Sequence, residues 1–279
     1  MSGRTFLLAA ALATLGGCTY TGKIIDAHAH LEADRGPARI HPQVSGRPDV
    51  LLREMDRVGV ERAVLLVVPP GVDLVAARDM HDQVAGLLKA SPGRFIAIGS
   101  VQPSDGDPGL RELDRIAALG FRGVKLSPSK LELETPEVQA FVARATALKL
   151  VVYIEGWWPG AAHQTGKLAL AFPNGRFVLT HMGGIRFDDV LVFRLLELYP
   201  FYPRNVWFDL SAVAPLYVDS PYADQLRFVC RSVGTDRVLF GSDFPLTGLE
   251  AAVRAVLRLG FSRQEEQAIL HDNADALFR

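Results

Sequence analysis

The chain has 279 residues, 49% of them hydrophobic and 22% charged, with a formal net charge of −1. That length suits one large α/β domain or two small ones, and 30 basic against 31 acidic residues leave no electrostatic case for binding nucleic acid. Cys18 and Cys230, the two cysteines, lie far apart in dissimilar contexts, which excludes a disulfide framework.

The chain opens with Arg4, an apolar run from Phe6 to Leu15, and Gly16-Gly17-Cys18. A basic residue, a short apolar run and small residues describe an export signal, and the run is shorter than the ~20 apolar residues a spanning helix needs. Leu15-Gly16-Gly17-Cys18 looks like a bacterial lipobox, which would make residues 1–18 a signal peptide and Cys18 a lipidated membrane attachment. The competing reading is a start codon placed too early, with a cytoplasmic enzyme beginning near Tyr20. The localisation is accordingly cell envelope or cytoplasm, depending on which holds.

Next comes Ile24-Ile25-Asp26-Ala27-His28-Ala29-His30-Leu31. Alternate side chains of an extended segment share a face, so His28 and His30 are expected on one side, with Ala27, Ala29 and Leu31 on the other. Two neutral imidazoles on one face at a strand end are half of a transition-metal site. The loop Glu32–Asp49 that follows is long for a strand-to-helix connection and is expected to wall the pocket. Its Arg35, Arg39 and Arg47 could bind a substrate carboxylate bidentately or be solvated charges.

Beyond it, β-rich apolar runs alternate with amphipathic stretches. The runs are Ile24–His30, Ala63–Val68, Phe95–Val101, Gly123–Ser127, Val151–Glu155, Phe177–His181, Val206–Leu210 and Val238–Asp243. Most are continuously apolar, as parallel strands covered on both faces are. Helices are expected between Val50 and Val58, Asp73 and Lys89, Leu110 and Leu119, and from Thr135-Pro136, whose Thr caps and whose Pro opens the first turn. Further helices fit Gln164–Phe172, Asp188–Leu198, Tyr222–Val233 and Leu249–Leu259, and two short pieces, Ser262–His271 and Asn273–Phe278, close the chain. Asn273 is expected to cap the last helix. Eight such units make a single (β/α)8 TIM barrel from residue 24 to 279. A doubly wound open sheet is the runner-up, but no Gly-x-Gly-x-x-Gly follows the first run. In the barrel, His28, His30, Glu155, His181 and Asp243 all fall at strand C-terminal ends, the face where barrel active sites assemble.

Ile25-Asp26-Ala27-His28-Ala29-His30, Gly123-Val124-Lys125-Leu126, Thr180-His181-Met182-Gly183-Gly184, Gly241-Ser242-Asp243-Phe244-Pro245 and Asn273-Ala274 together resemble the amidohydrolase superfamily, in the branch of small metal-dependent hydrolases and aminocarboxymuconate-semialdehyde decarboxylase-like enzymes. The resemblance implies one divalent ion, zinc before manganese, on His28, His30 and Asp243. It also implies that His181 positions substrate, moves protons or binds a second metal. Where the branch usually carries a fifth-strand His, this chain has Glu155, read as a substitute ligand that would favour a harder metal; His163, nearby, could instead reach inward or be solvated. Lys125 is expected to bind substrate or pair with Glu155, Asp26 to support His28 by a hydrogen bond, and Trp157 and Trp158 to wall the pocket or simply pack.

The function so implied is hydrolysis of an amide, ester or lactone in a small molecule by a metal-activated water, with Asp243 or His181 taking the proton. One competitor is a decarboxylase built on the same constellation; the other is a catalytically degenerate envelope binding protein. Self-association into a homo-oligomer is compatible with all three.

Overall fold

The eight apolar runs pair in parallel, in chain order, as one eight-stranded sheet. The protein is described by a computed structural model covering residues 20–31, 46–69, 73–126 and 134–279. The lipobox, Arg35 and Arg39 lie outside the described residues. The strands are β1 (Ile24–Ala29), β2 (Val60–Leu66), β3 (Phe95–Ser100), β4 (Gly123–Leu126), β5 (Val151–Ile154), β6 (Arg176–Leu179), β7 (Val206–Asp209) and β8 (Val238–Leu239). The sheet closes on itself where Ala27 N donates to Phe240 O at 2.8 Å and His30 N to Phe244 O at 2.7 Å. A TIM barrel results, as the strand count required.

Helices α1 (Pro48–Val58), α2 (Leu74–Ala90), α3 (Gly106–Ala118), α4 (Pro136–Ala147) and α5 (Ala161–Ala171) follow the first five strands. Their ends obey local chemistry. Asp73 caps α2 by accepting from Val75 N and Ala76 N, Thr135 caps α4 ahead of Pro136, and α1 stops at Gly59, whose φ of 87° suits glycine. After β6 the expected long helix is shorter. An irregular stretch runs to Val190, and only α6 (Leu191–Leu196) is regular. A helix not foreseen, α7 (Val213–Tyr217), precedes α8 (Ala223–Val233); then come α9 (Leu249–Arg258), α10 (Arg263–Gln267) and α11 (Asn273–Phe278). No helix among the described residues is long and apolar enough to cross a membrane.

Two apolar layers separate cleanly. Ile25, Ala27, Val64, Leu66, Ile98, Tyr153 and Val178 pack inside the barrel, where Leu277 and Phe278 of α11 plug the N-terminal rim. The second layer lies between strands and helices. Asn273 does not cap α11. Its side chain donates to Thr235 O and Val238 O, both at 2.7 Å, and so staples the plug to the start of β8. Two carbonyls fixed by tertiary structure outbid the local cap.

Simple alternation in β1 also gives way. Ala27 packs inside the barrel and Ala29 outside it, because the β1–β2 register shifts between Asp26 and Ala29.

Candidate metal centre and the barrel mouth

Two of the strand ladders near the site end before the residues that carry the chemistry, whereas His28, Lys125 and Asp209 lie within β1, β4 and β7. β6 stops at Leu179, and His181 and Met182 then adopt φ of 55° and 52°; β8 stops at Leu239, and Asp243 has φ of 57°. Left-handed backbone in non-glycine residues costs energy that surrounding structure must offset, and it re-aims a side chain out of the strand direction.

The register slip in β1 brings the two leading imidazoles edge to edge, with Nε2 of His28 and Nε2 of His30 3.1 Å apart. Their other nitrogens are committed. His28 Nδ1 lies 3.0 Å from Asp209 Oδ2, and His30 Nδ1 lies 3.0 Å from Leu66 O. Both partners only accept, so each Nδ1 carries the proton and each Nε2 presents a lone pair. Asp243 Oδ1 completes the group at 3.6 Å from His28 Nε2 and 3.3 Å from His30 Nε2. Three electron-pair donors converge with no hydrogen to share. Atoms held ~2.1 Å from one ion at tetrahedral or octahedral angles stand roughly 3.0–3.4 Å from each other. The 3.1 and 3.3 Å spacings fall in that range and the 3.6 Å spacing lies just beyond it. The donor set fits a divalent cation held by His28, His30 and Asp243.

The charge states agree. Burial pushes the His28 imidazole below its ordinary value, with Asp209 opposing, and the neutral ring is the ligand form. Burial works to raise the Asp243 carboxyl, but the close His30 imidazole, with His28 and His181 beside it, outweighs burial and holds it well below the usual carboxylate range. Gly241 makes room for this corner, since a Cβ there would stand 2.8 Å from His28 Cβ.

Behind the donors lies a polar layer that sequence reasoning largely missed. Asp209, at the end of β7, binds His28 through one oxygen. Its other oxygen accepts from His181 N at 3.0 Å, from Ser211 N at 3.1 Å and from the Ser211 hydroxyl. Ser211 Oγ in turn reaches His181 Nδ1 at 2.8 Å and His28 Nδ1 at 3.1 Å. His28, His181 and Asp209 thus form a second close group of donor atoms. The signal was present: a carboxylate inside the apolar run Val206–Leu210 demanded a partner. Asp26 behaves as expected, accepting from His28 N at 3.1 Å and from the Ser242 hydroxyl at 2.5 Å. Burial raises its carboxyl to about 7 despite those hydrogen bonds.

Glu155 is placed otherwise than among the three converging donors. Oε2 pairs with Lys125 Nζ at 3.0 Å, and Oε1 accepts from Gly156 N at 3.0 Å and faces His181 Nε2 at 3.5 Å. Gly156 packs so tightly against the Thr180 carbonyl that a Cβ would collide with it, which fixes Glu155 beside β6. Burial raises the Glu155 carboxyl, but Lys125 and His181 more than reverse this and bring it to about 2. Trp157 lies over His181 with ring centroids 5.0 Å apart. Trp157 and Trp158 are both partly open to solvent, His163 is exposed on α5, and exposed Arg47 pairs with Asp49 at 3.0 Å.

A family model described as amidohydrolase matches residues 25–279 of the chain. Among curated proteins, 2-amino-3-carboxymuconate-6-semialdehyde decarboxylase of Dictyostelium discoideum is 24% identical over 244 residues, an alignment covering 71% of this chain and 66% of that enzyme, just under two thirds of its length. Among solved structures, 5-carboxyvanillate decarboxylase of Novosphingobium aromaticivorans, complexed with manganese and 4-hydroxy-3-methoxy-5-nitrobenzoic acid, superposes with a TM-score of 0.72 at 18% identity, covering 98% of this chain and 99% of that one. A probable 2-pyrone-4,6-dicarboxylic acid hydrolase of Acinetobacter baumannii gives 0.68 at 24% identity, covering 92% and 99%.

Proposed function

The chain belongs to the amidohydrolase family, and from that premise we propose that it is a divalent-metal-dependent lyase removing CO2 from a small carboxylated substrate. The observation that carries the reading is the convergence of His28 Nε2, His30 Nε2 and Asp243 Oδ1, with a buried lysine, Lys125, reaching the same mouth through Glu155 and His181. The decarboxylases among its relatives move the reading from hydrolysis, the first expectation, to carbon–carbon cleavage. Manganese in a related structure favours that metal over the expected zinc.

His28, His30 and Asp243 would hold the ion, which when bound supplies Lewis acidity toward substrate oxygen. Glu155 serves in this reading as the partner that orients Lys125, in place of the ligand role expected of it. Lys125 spends one of its three N–H donors on Glu155 and offers the others to a substrate carboxylate. In the reaction the bond from the substrate carbon to its carboxylate breaks, the electron pair stays on that carbon, and a proton replaces the departing CO2. His181 is the donor of that proton: Ser211 fixes its Nδ1, and its Nε2 faces the mouth beside Glu155. Asp243 keeps a negative charge close to His181, and bulk water restores the His181 proton after product leaves. Trp157 covers one wall and excludes water from His181.

A lactone or amide hydrolase is the second reading, favoured by the likeness to the pyrone hydrolase. One experiment separates them. Manganese-loaded protein is given 5-carboxyvanillate, 2-amino-3-carboxymuconate-6-semialdehyde and 2-pyrone-4,6-dicarboxylate in H2(18)O, and CO2 release and label uptake into product are both measured. CO2 without label supports the lyase; label in the product without CO2 replaces it with the hydrolase.

A further inference from the structure

At the opposite rim, where β4, β5 and β6 begin, a cavity of about 530 Å³ opens between the ends of α3 and α4 and the chain's last residue. Arg122, Lys149, Arg176 and Arg279 line it, and no acidic side chain does. The chain as a whole carries a net charge of −1, so general basicity does not explain this concentration. Arg279 is offset by Asp275, at 2.9 Å from its Nε. Arg176 donates only to carbonyls, those of Leu277 at 2.7 Å and of Lys149. The side chains of Arg122 and Lys149 have no ion-pair or hydrogen-bond partner among the described residues. Thr146, also in the lining, has a buried hydroxyl with no partner.

Three uncompensated cations around one concavity repel each other, and partial desolvation worsens the repulsion. Burial and the neighbouring charge of Arg122 both push the Arg176 guanidinium below its ordinary value. An anion entering the cavity reverses the sign of that interaction, and guanidinium forks match tetrahedral or planar oxyanions. The volume falls within the ~300–1,000 Å³ of small-molecule pockets, larger than a bare ion fills.

We infer that this lower-rim cavity is a binding site for the dianionic phosphate of a small phosphomonoester, held by Arg122, Lys149 and Arg176 and separate from the metal centre. Arg176 also grips the carbonyl of Leu277 in the barrel plug, so occupancy of the site reaches α11 directly.

The test is calorimetric titration of the full chain with inorganic phosphate and with phenyl phosphate, at constant ionic strength and with chloride as the control anion. Saturable binding is expected, tighter for phenyl phosphate. It should weaken at least tenfold in the double variant Arg122→Gln/Lys149→Gln and stay unchanged in Lys89→Gln, an exposed cation on α2. Both altered side chains of the double variant are exposed, and circular dichroism verifies that it is folded. Absence of saturable binding, or equal binding by the double variant, overturns the site. Equal affinity for the two phosphates overturns the phosphomonoester assignment.

Discussion

The two rims of the barrel are built from the same strands and solve opposite problems. At the N-terminal rim the Asn273 amide and the Arg176 guanidinium end on backbone carbonyls, and Leu277 and Phe278 fill the interior. Asn273 and the two carbonyl contacts of Arg176 hold the fold there, and the side chains of Arg122 and Lys149, unpaired among the described residues, stand at its exposed edge. At the C-terminal rim the order inverts: His28 and His30 are each pinned through one nitrogen so that the other stays free and directed. Asp209 and Ser211 spend their capacity on positioning imidazoles. The contrast teaches how to recognise a working end, because buried groups there are satisfied on one side only.

The sharpest break of this contrast is His30→Ala. His30 is less buried than His28, so its loss spares the fold, yet it removes one of three converging donors. Bound manganese, measured by elemental analysis, should fall from stoichiometric to trace. Turnover should drop by more than the ~10–100-fold that loss of a mere supporting partner produces. A variant that keeps its metal and its rate would dissolve the proposed centre. At the other rim Leu277→Ala should do the reverse. Truncating this buried plug residue costs ~2–5 kcal/mol in urea unfolding, while metal stoichiometry and kcat/KM in the folded fraction stay at wild-type levels. Loss of metal there would show that the rims are not independent.

Much of this arrangement was readable beforehand, for a definite reason. Parallel strands covered on both sides leave continuous apolar runs, and a polar residue closing such a run, as His30, Glu155, His181 and Asp243 do, announces itself. The Lys125–Glu155 pair was one of two expectations for Lys125, the other being a substrate contact, and rested on the cost of burying either charge alone. What stayed hidden depended on contacts remote in sequence. Asp209 was absorbed into its strand because its partners His28 and His181 lie 181 and 28 residues away. Asn273 looked like a cap because Thr235 and Val238 gave no local sign of themselves. Nor do His181, Met182 and Asp243 advertise positive φ, so the runs read longer than the ladders.

The smallest expected effect refines the upper rim alone and turns on Glu155. Its carboxyl sits at about 2 in the folded protein against 4.5 ordinarily, so ionisation favours the folded state. A depressed carboxyl contributes fully above its unfolded value and loses that contribution as pH falls through the folded one. Glu155→Gln in chelator-treated protein should therefore be less stable than wild type at pH 6, and the gap should narrow from about pH 4.5 and close toward pH 2. Chemical denaturation of both proteins at pH 6, 4 and 3 measures it. Manganese stoichiometry at pH 7 should be unchanged in the variant, since the carboxylate is engaged with Lys125 and not with the three donors. A gap independent of pH would mean that Glu155 acts by shape or neutral hydrogen bonding, and a loss of manganese would restore it to the ligand set.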